Sequence, residues 1–182
     1  MNLPRVTTII NPPSGFEAIP PDVLAAAGER GTAVHEACAA YALGLWSPVP
    51  DDLQGYFDSF KRYFDSYVVD VIAVEAELIH PAFRYVGHAD LIASVRGYLT
   101  GFTVVAVLDY KTPLTHTPKW NMQCAGYVEA AKEQYGASVG GALQLRKDGG
   151  LPKMTWVPDQ NKAFAAFLGM LNGYNYVNGG KG

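Results

Sequence analysis

Asp109 and Lys111 stand two residues apart at the end of a valine-rich run, and side chains at that spacing on an extended strand share a face. A carboxylate and an ammonium so placed can address one phosphate, the first through a divalent cation and the second directly. Asp90 follows Gly87-His88-Ala89 and is expected on a neighbouring strand as a second carboxylate ligand, with Gly87 letting backbone approach closely. Glu75, on the other arm of the same hairpin, completes the shell or holds a water; Glu77, on the same strand face, is its rival. Asp90, Asp109 and Glu75 set against Lys111 leave a formal charge that one divalent cation balances. Hard oxygen donors suit Mg2+ or Mn2+, and the chemistry such a set performs is phosphodiester hydrolysis. A nearby cation lowers the Lys111 pKa and the carboxylates raise it, so its protonation depends on which effect is larger.

Taken singly, each residue has an ordinary reading. Asp-x-Lys is a frequent surface ion pair at a strand end, His35 alone reads as a part-buried helix histidine, and Glu75 alone as a solvated strand residue. Order and spacing together change this. Arg30-Gly31-Thr32-Ala33-Val34-His35, Glu75, Gly87-His88-Ala89-Asp90, Asp109-Tyr110-Lys111-Thr112 and Gln123-Cys124-Ala125-Gly126-Tyr127 resemble the RecB-like exonuclease branch of the PD-(D/E)XK nuclease superfamily. The pattern there runs glycine-x-x-x-histidine, glutamate, glycine-x-x-aspartate, aspartate-x-lysine and glutamine-x-x-x-tyrosine.

The resemblance extends from about Ile19 to Tyr127. It implies an α/β fold whose restriction-endonuclease-like core is a central mixed β-sheet flanked by helices. It also implies that His35, Asp90, Asp109 and the backbone carbonyl of Tyr110 ligate the metal, and that Lys111 is the catalytic lysine. Gln123 and Tyr127, one helical turn apart, would position the phosphate and the lysine, and Arg30 would contact the DNA backbone. The implied activity is that of a DNA exonuclease in recombination, repair or phage DNA processing. A structure-selective or nicking endonuclease with the same site is one alternative, and a catalytically inactive DNA-binding recombination subunit is another. Ring-forming relatives make a homo-oligomer or a recombination partner protein plausible by analogy. Some relatives hold an iron-sulfur cluster on four cysteines; with two cysteines here, no such cluster is expected. His88 stands where a small or β-branched residue is usual, and either adds a donor near the site or packs, with packing the favoured expectation. A zinc site from His35, Cys38, His80 and His88 is a distant alternative with the wrong ligand spacing.

The chain of 182 residues, 49% hydrophobic, fits one domain able to bury a continuous core. A net charge of −3 argues against broad electrostatic attachment to nucleic acid, though a bound cation would offset the site's carboxylates. Lys61-Arg62, Lys119, Lys132, Arg146-Lys147 and Lys153 are candidates for a DNA path. No apolar run reaches the roughly 18 residues that span a bilayer, so no membrane contact is expected. Met1-Asn2-Leu3-Pro4-Arg5 shows no secretory pattern, and a cytoplasmic setting is expected. Cys38 and Cys124 read as reduced packing residues.

Several elements must position these groups. The first twenty residues, rich in proline, read as an irregular arm. Asp22 is a plausible cap for a first helix, Gly28 and Gly31 interrupt the pattern, and a second helix runs over Thr32–Leu43 with Gly44 closing it. A helix after Asp51 or Asp52 carries Leu53, Tyr56, Phe57, Phe60, Tyr63, Phe64 and Tyr67 on one face. That stripe is read as core packing rather than as a base-stacking platform. Val71–Ile79 and Tyr85–Val95 form a hairpin around Pro81, and Phe102–Tyr110 is a buried central strand. A helix over Trp120–Gln134 follows, then a hairpin of Ala142–Arg146 and Lys153–Val157 around Asp148-Gly149-Gly150. Asp159 caps a last helix through Asn172, and residues 178–182 are a frayed tail.

Overall fold

Alternating apolar residues from Val68 onward build a long hairpin, β1 (Val68–His80) and β2 (Tyr85–Arg96), turning over residues 81–84. The computed structural model describes residues 3–11, 21–97, 102–113 and 115–179. β3 (Thr103–Lys111) pairs antiparallel with β2, from Arg96 opposite Thr103 to Leu91 opposite Leu108. β4 (Val139–Gln144) then lies parallel to β3, and β5 (Lys153–Trp156) returns antiparallel to β4. The result is a mixed five-stranded sheet in the order β1-β2-β3-β4-β5. Its one parallel step needs a crossover, which α4 (Pro118–Tyr135) supplies.

Helices cover both faces of the sheet. α2 (Pro21–Ala42) and α3 (Gln54–Tyr67) close over Leu91, Leu108, Tyr110 and Leu143. α1 (Val6–Ile10), α4 and α5 (Gln160–Asn178) close over Tyr85, Ile92 and Val107, with Phe167 of α5 buried among them. Neighbouring residues such as Leu91 and Ile92 therefore feed opposite cores, as the pleat requires. Among the described residues no helix is long and apolar enough to cross a membrane.

Local sequence explains where the helices begin and end. The Thr117 hydroxyl accepts the Lys119 N–H ahead of α4, with Pro118 as the first helical residue, and Asp159 accepts the Lys162 N–H ahead of α5. α2 closes through Leu45 N–H to Ala40 O at 2.8 Å and Gly44 N–H to Tyr41 O at 2.9 Å, the paired bonds of a Schellman ending. On α3, Tyr56, Phe60 and Tyr63 are buried against the sheet, so the aromatic stripe is core.

Three expectations are corrected. Gly28 and Gly31 do not break the second element: α2 is one helix from Pro21 to Ala42. A helix tolerates isolated glycines at a modest cost in propensity. The N-terminal segment is not wholly irregular, because Val6, Ile9 and Ile10 fall on one face of α1 and are buried; residues 12–20 lie outside the described residues. The last helix runs to Asn178 rather than Asn172, and of the expected tail residues 180–182 lie outside the described residues.

The crossover seats closely because β4 carries Gly140 beneath α4. A methyl built there would lie 2.8 Å from Val128 Cγ2 and 3.1 Å from the Cys124 carbonyl oxygen. Gly140→Ala is expected to lower stability by roughly 1–3 kcal/mol, the usual cost of overpacking. The check is a lower urea midpoint at unchanged m-value.

Candidate active site

The ladder between β2 and β3 stops at Leu91 and Leu108, while β1 follows β2 down to Tyr85. β2 therefore has an open edge over Tyr85–Asp90, and the sheet forks there. A cleft of about 520 Å³ occupies the fork, lined by Asp90, Asp109, Lys111, His35, Gln123 and Tyr127 among others. Beyond the fork, the open edge is met by the N-terminal segment: Val86 N–H donates to Pro4 O at 2.9 Å, and Arg5 bridges Val86 in parallel.

Asp90 fastens the fork. Its Oδ2 accepts the Tyr110 backbone N–H at 2.5 Å, standing in for the strand carbonyl that a continuing ladder would offer. Its Oδ1 lies 3.2 Å from His35 Nδ1. Burial alone would push the His35 imidazole down, but the hydrogen-bonded Asp90 carboxylate, with Asp109 beyond, outweighs it and holds the pKa above its ordinary value.

Asp109 and Lys111 share a face, as their spacing requires, and Lys111 Nζ sits 2.5 Å from Asp109 Oδ2. Gln123 binds both partners: its Nε2 donates to Asp109 Oδ1 at 3.1 Å and to Tyr127 Oη at 2.9 Å, while its Oε1 accepts from Lys111 Nζ at 3.0 Å. Only one amide orientation serves an ammonium and a carboxylate together. Burial raises the Asp109 pKa; Lys111 offsets that partly, and the Asp90 carboxylate adds to it. For Lys111 burial acts downward, but Asp109 and Asp90 prevail and hold it above its ordinary value. Lys111 is thus an ammonium at neutral pH, and Trp120 covers it with its ring centroid 5.8 Å from Nζ.

The glutamates divide. Glu75 has φ 50°, a conformation costing on the order of 1–3 kcal/mol in a residue with a side chain. Strand alternation slips at this level: Val74 packs with the α2/α3 core and Ala76 with the opposite one, and across the ladder Leu91 and Ala89 do the same. The slip brings Glu75 and Asp90 to the same place. One ligand atom from each of His35, Glu75 and Asp90 lies within 4.8 Å of the others. Glu77, the rival, lines the open cleft instead. Asp109 stands apart from that trio of ligand atoms, occupied by Lys111 and Gln123.

His88 does not pack as expected. It is half-exposed, and its Nε2 lies 2.7 Å from Glu75 Oε2, a contact that holds the strained glutamate in place. Tyr110 offers its N–H to Asp90 while its ring is buried among Phe60 and His35. Arg30, on α2, is not among the cleft-lining residues. The zinc quartet does not assemble, because His80 stacks among Phe83, Tyr85 and Phe164. Cys38 and Cys124 are buried free thiols. Arg5 and Thr7 also line the cleft, which the irregular arm expected for the first residues does not include; the spacing of Val6, Ile9 and Ile10 is the sequence signal for the α1 turn that places them. No protein-family model matches the chain, and a search of curated proteins likewise finds no match.

Gly87 makes room for this arrangement. A methyl there would lie 2.6 Å from Tyr127 Cδ1, so the ring that holds Gln123 packs directly on the β2 backbone. Gly87→Ala is expected to cost about 1–3 kcal/mol by overpacking. In a Tyr127→Ala background the same substitution should cost nothing, and a double-mutant cycle of unfolding free energies checks the coupling.

Proposed function

We propose that the chain is a metal-dependent deoxyribonuclease on a restriction-endonuclease-like PD-(D/E)XK core, acting as an exonuclease in DNA recombination, repair or phage DNA processing. The observation that carries this reading is the meeting of Asp90, Asp109 and Lys111 in one cleft at the end of a central strand. The order of those groups along the chain, and the Gln123–Tyr127 pair behind them, support it further.

The donors suit a hard divalent cation, Mg2+ or Mn2+, with one imidazole among oxygens. His35, Glu75 and Asp90 bring their ligand atoms together, and by the family resemblance Asp109 and the Tyr110 carbonyl would join His35 and Asp90 on the ion, Asp109 releasing Lys111 to do so. Burial, with the Asp90 carboxylate beside it, raises the Asp109 pKa, and a cation bound there would favour the ionised form. Such an ion, when bound, neutralises phosphate charge and acidifies an attacking water.

Lys111, beside Asp109 at the head of the cleft, would orient the attacking water or hold a phosphate oxygen, and a bound cation that offsets Asp109 and Asp90 would lower its pKa toward a role as proton acceptor. Gln123 fixes where Nζ points, and Tyr127 fixes Gln123. An endonuclease would use the same groups, and a circular single strand separates the two: an exonuclease spares it. An inactive DNA-binding subunit would keep the fold and bind no cation.

Incubation with end-labelled linear DNA and Mn2+ should release labelled product, and EDTA should stop it. Asp109→Ala and Lys111→Ala are each expected to reduce cleavage by about 10²-fold or more, with unchanged circular dichroism; cleavage retained in either folded variant would refute the assignment. Metal uptake has a separate readout. Mn2+ at about 100 times its Kd should stabilise the protein by about 2.7 kcal/mol, seen as a rise in Tm. Asp90→Asn keeps an acceptor for Tyr110 N–H but loses the charge, and should shrink that rise.

A further inference from the structure

We propose that Arg5 is a substrate-binding residue that holds a phosphate of the nucleic acid strand next to the one being cut. The inference rests on the nuclease reading and extends it to a segment outside the motifs that suggested it.

Arg5 lines the same cleft as Asp90, Asp109 and Lys111, and it is exposed. Its backbone is held on both sides. Pro4 O accepts the Val86 N–H and Arg5 itself bridges Val86, while the next residue, Val6, is buried in the core. Arg5 therefore stands at a defined place on the open edge of β2.

The charges around the cleft single it out. Lys111 is paired with Asp109, His35 with Asp90, and His88 with Glu75. Among the described residues Arg5 makes no ion pair, so it is the cleft-lining cation that no carboxylate occupies. The cleft otherwise presents Glu77, Asp90 and Asp109, which repel a phosphodiester strand. A divalent ion would offset that repulsion at the reacting phosphate only; a neighbouring phosphate needs a fixed cation of its own. A guanidinium presents several N–H donors that match phosphate oxygens.

The test compares wild type, Arg5→Gln and Arg5→Lys for binding of a labelled linear oligonucleotide in Ca2+ over a range of KCl, and for cleavage in Mn2+. Arg5→Gln is expected to weaken binding and raise KM by roughly tenfold, as loss of a hydrogen bond to a charged group does. It should change kcat little and flatten the slope of log K against log salt by about 0.7–0.9, one phosphate contact. Arg5→Lys keeps the charge and should restore the slope. If wild type cleaves and binds DNA while folded Arg5→Gln shows the same KM and salt slope, Arg5 holds no phosphate and the inference falls alone. If wild type neither binds nor cleaves DNA, the nuclease reading falls and takes this inference with it.

Discussion

The contact from Tyr110 N–H to Asp90 Oδ2 is the one on which the cleft depends. A sheet can open a cavity between two strands only by breaking a ladder, and each backbone donor released into the interior costs on the order of 1–3 kcal/mol if left unpaired. A carboxylate is the strongest acceptor available for such a donor. By taking the N–H, Asp90 holds the fork apart at a fixed width and is itself carried to the head of the cleft. Val86 N–H meets the same need lower down, through Pro4 O rather than a side chain. These two donors are satisfied while the fork stays open.

Burying charge in that fork has its own requirement. An isolated buried ion pair roughly breaks even, or loses, against the cost of taking both partners out of water. The Asp109–Lys111 pair is not isolated, because Gln123 supplies a donor to the carboxylate and an acceptor to the ammonium without adding charge. Gln123 can do this only if α4 lies close on the sheet, and two glycines permit that approach: Gly140 beneath the helix backbone and Gly87 beneath the Tyr127 ring. The strained Glu75 is sustained similarly, by ten paired positions along β1 and β2 and by His88 at its carboxylate.

What could be read from the sequence was whatever has a local cause. The hairpin, the central strand and the α4 crossover follow from alternation, a valine run and capping residues, and each lies within a few residues of where those signals put it. The shared face of Asp109 and Lys111 follows from strand geometry alone. The slip in alternation at Glu75 and Asp90 does not, because it arises from two strands changing face together, and neither residue type announces it. His88 shows the same limit: its partner is thirteen residues away on the other strand, and the contact exists only once the hairpin register sets His88 opposite Glu77 and diagonal to Glu75. Arg5 was hidden for a different reason, since the open edge it occupies exists only once β2 and β3 have parted.

The overall charge of −3 and a polyanionic substrate are compatible under the nuclease reading, because the relevant charge is local. With Glu75, Glu77, Asp90 and Asp109 near one fork, and three of the nearby cationic or titratable groups committed to them, the metal-free cleft repels phosphate. A divalent cation would offset those carboxylates at the reacting phosphate, and the cation would then tighten substrate binding and the substrate tighten cation binding by the same factor. A protein so arranged needs no broad basic face, only a fixed cation beside the cleft and a metal site that substrate helps to fill. Specific phosphate placement then comes from the geometry of the fork, and the rest of the surface is free to stay acidic.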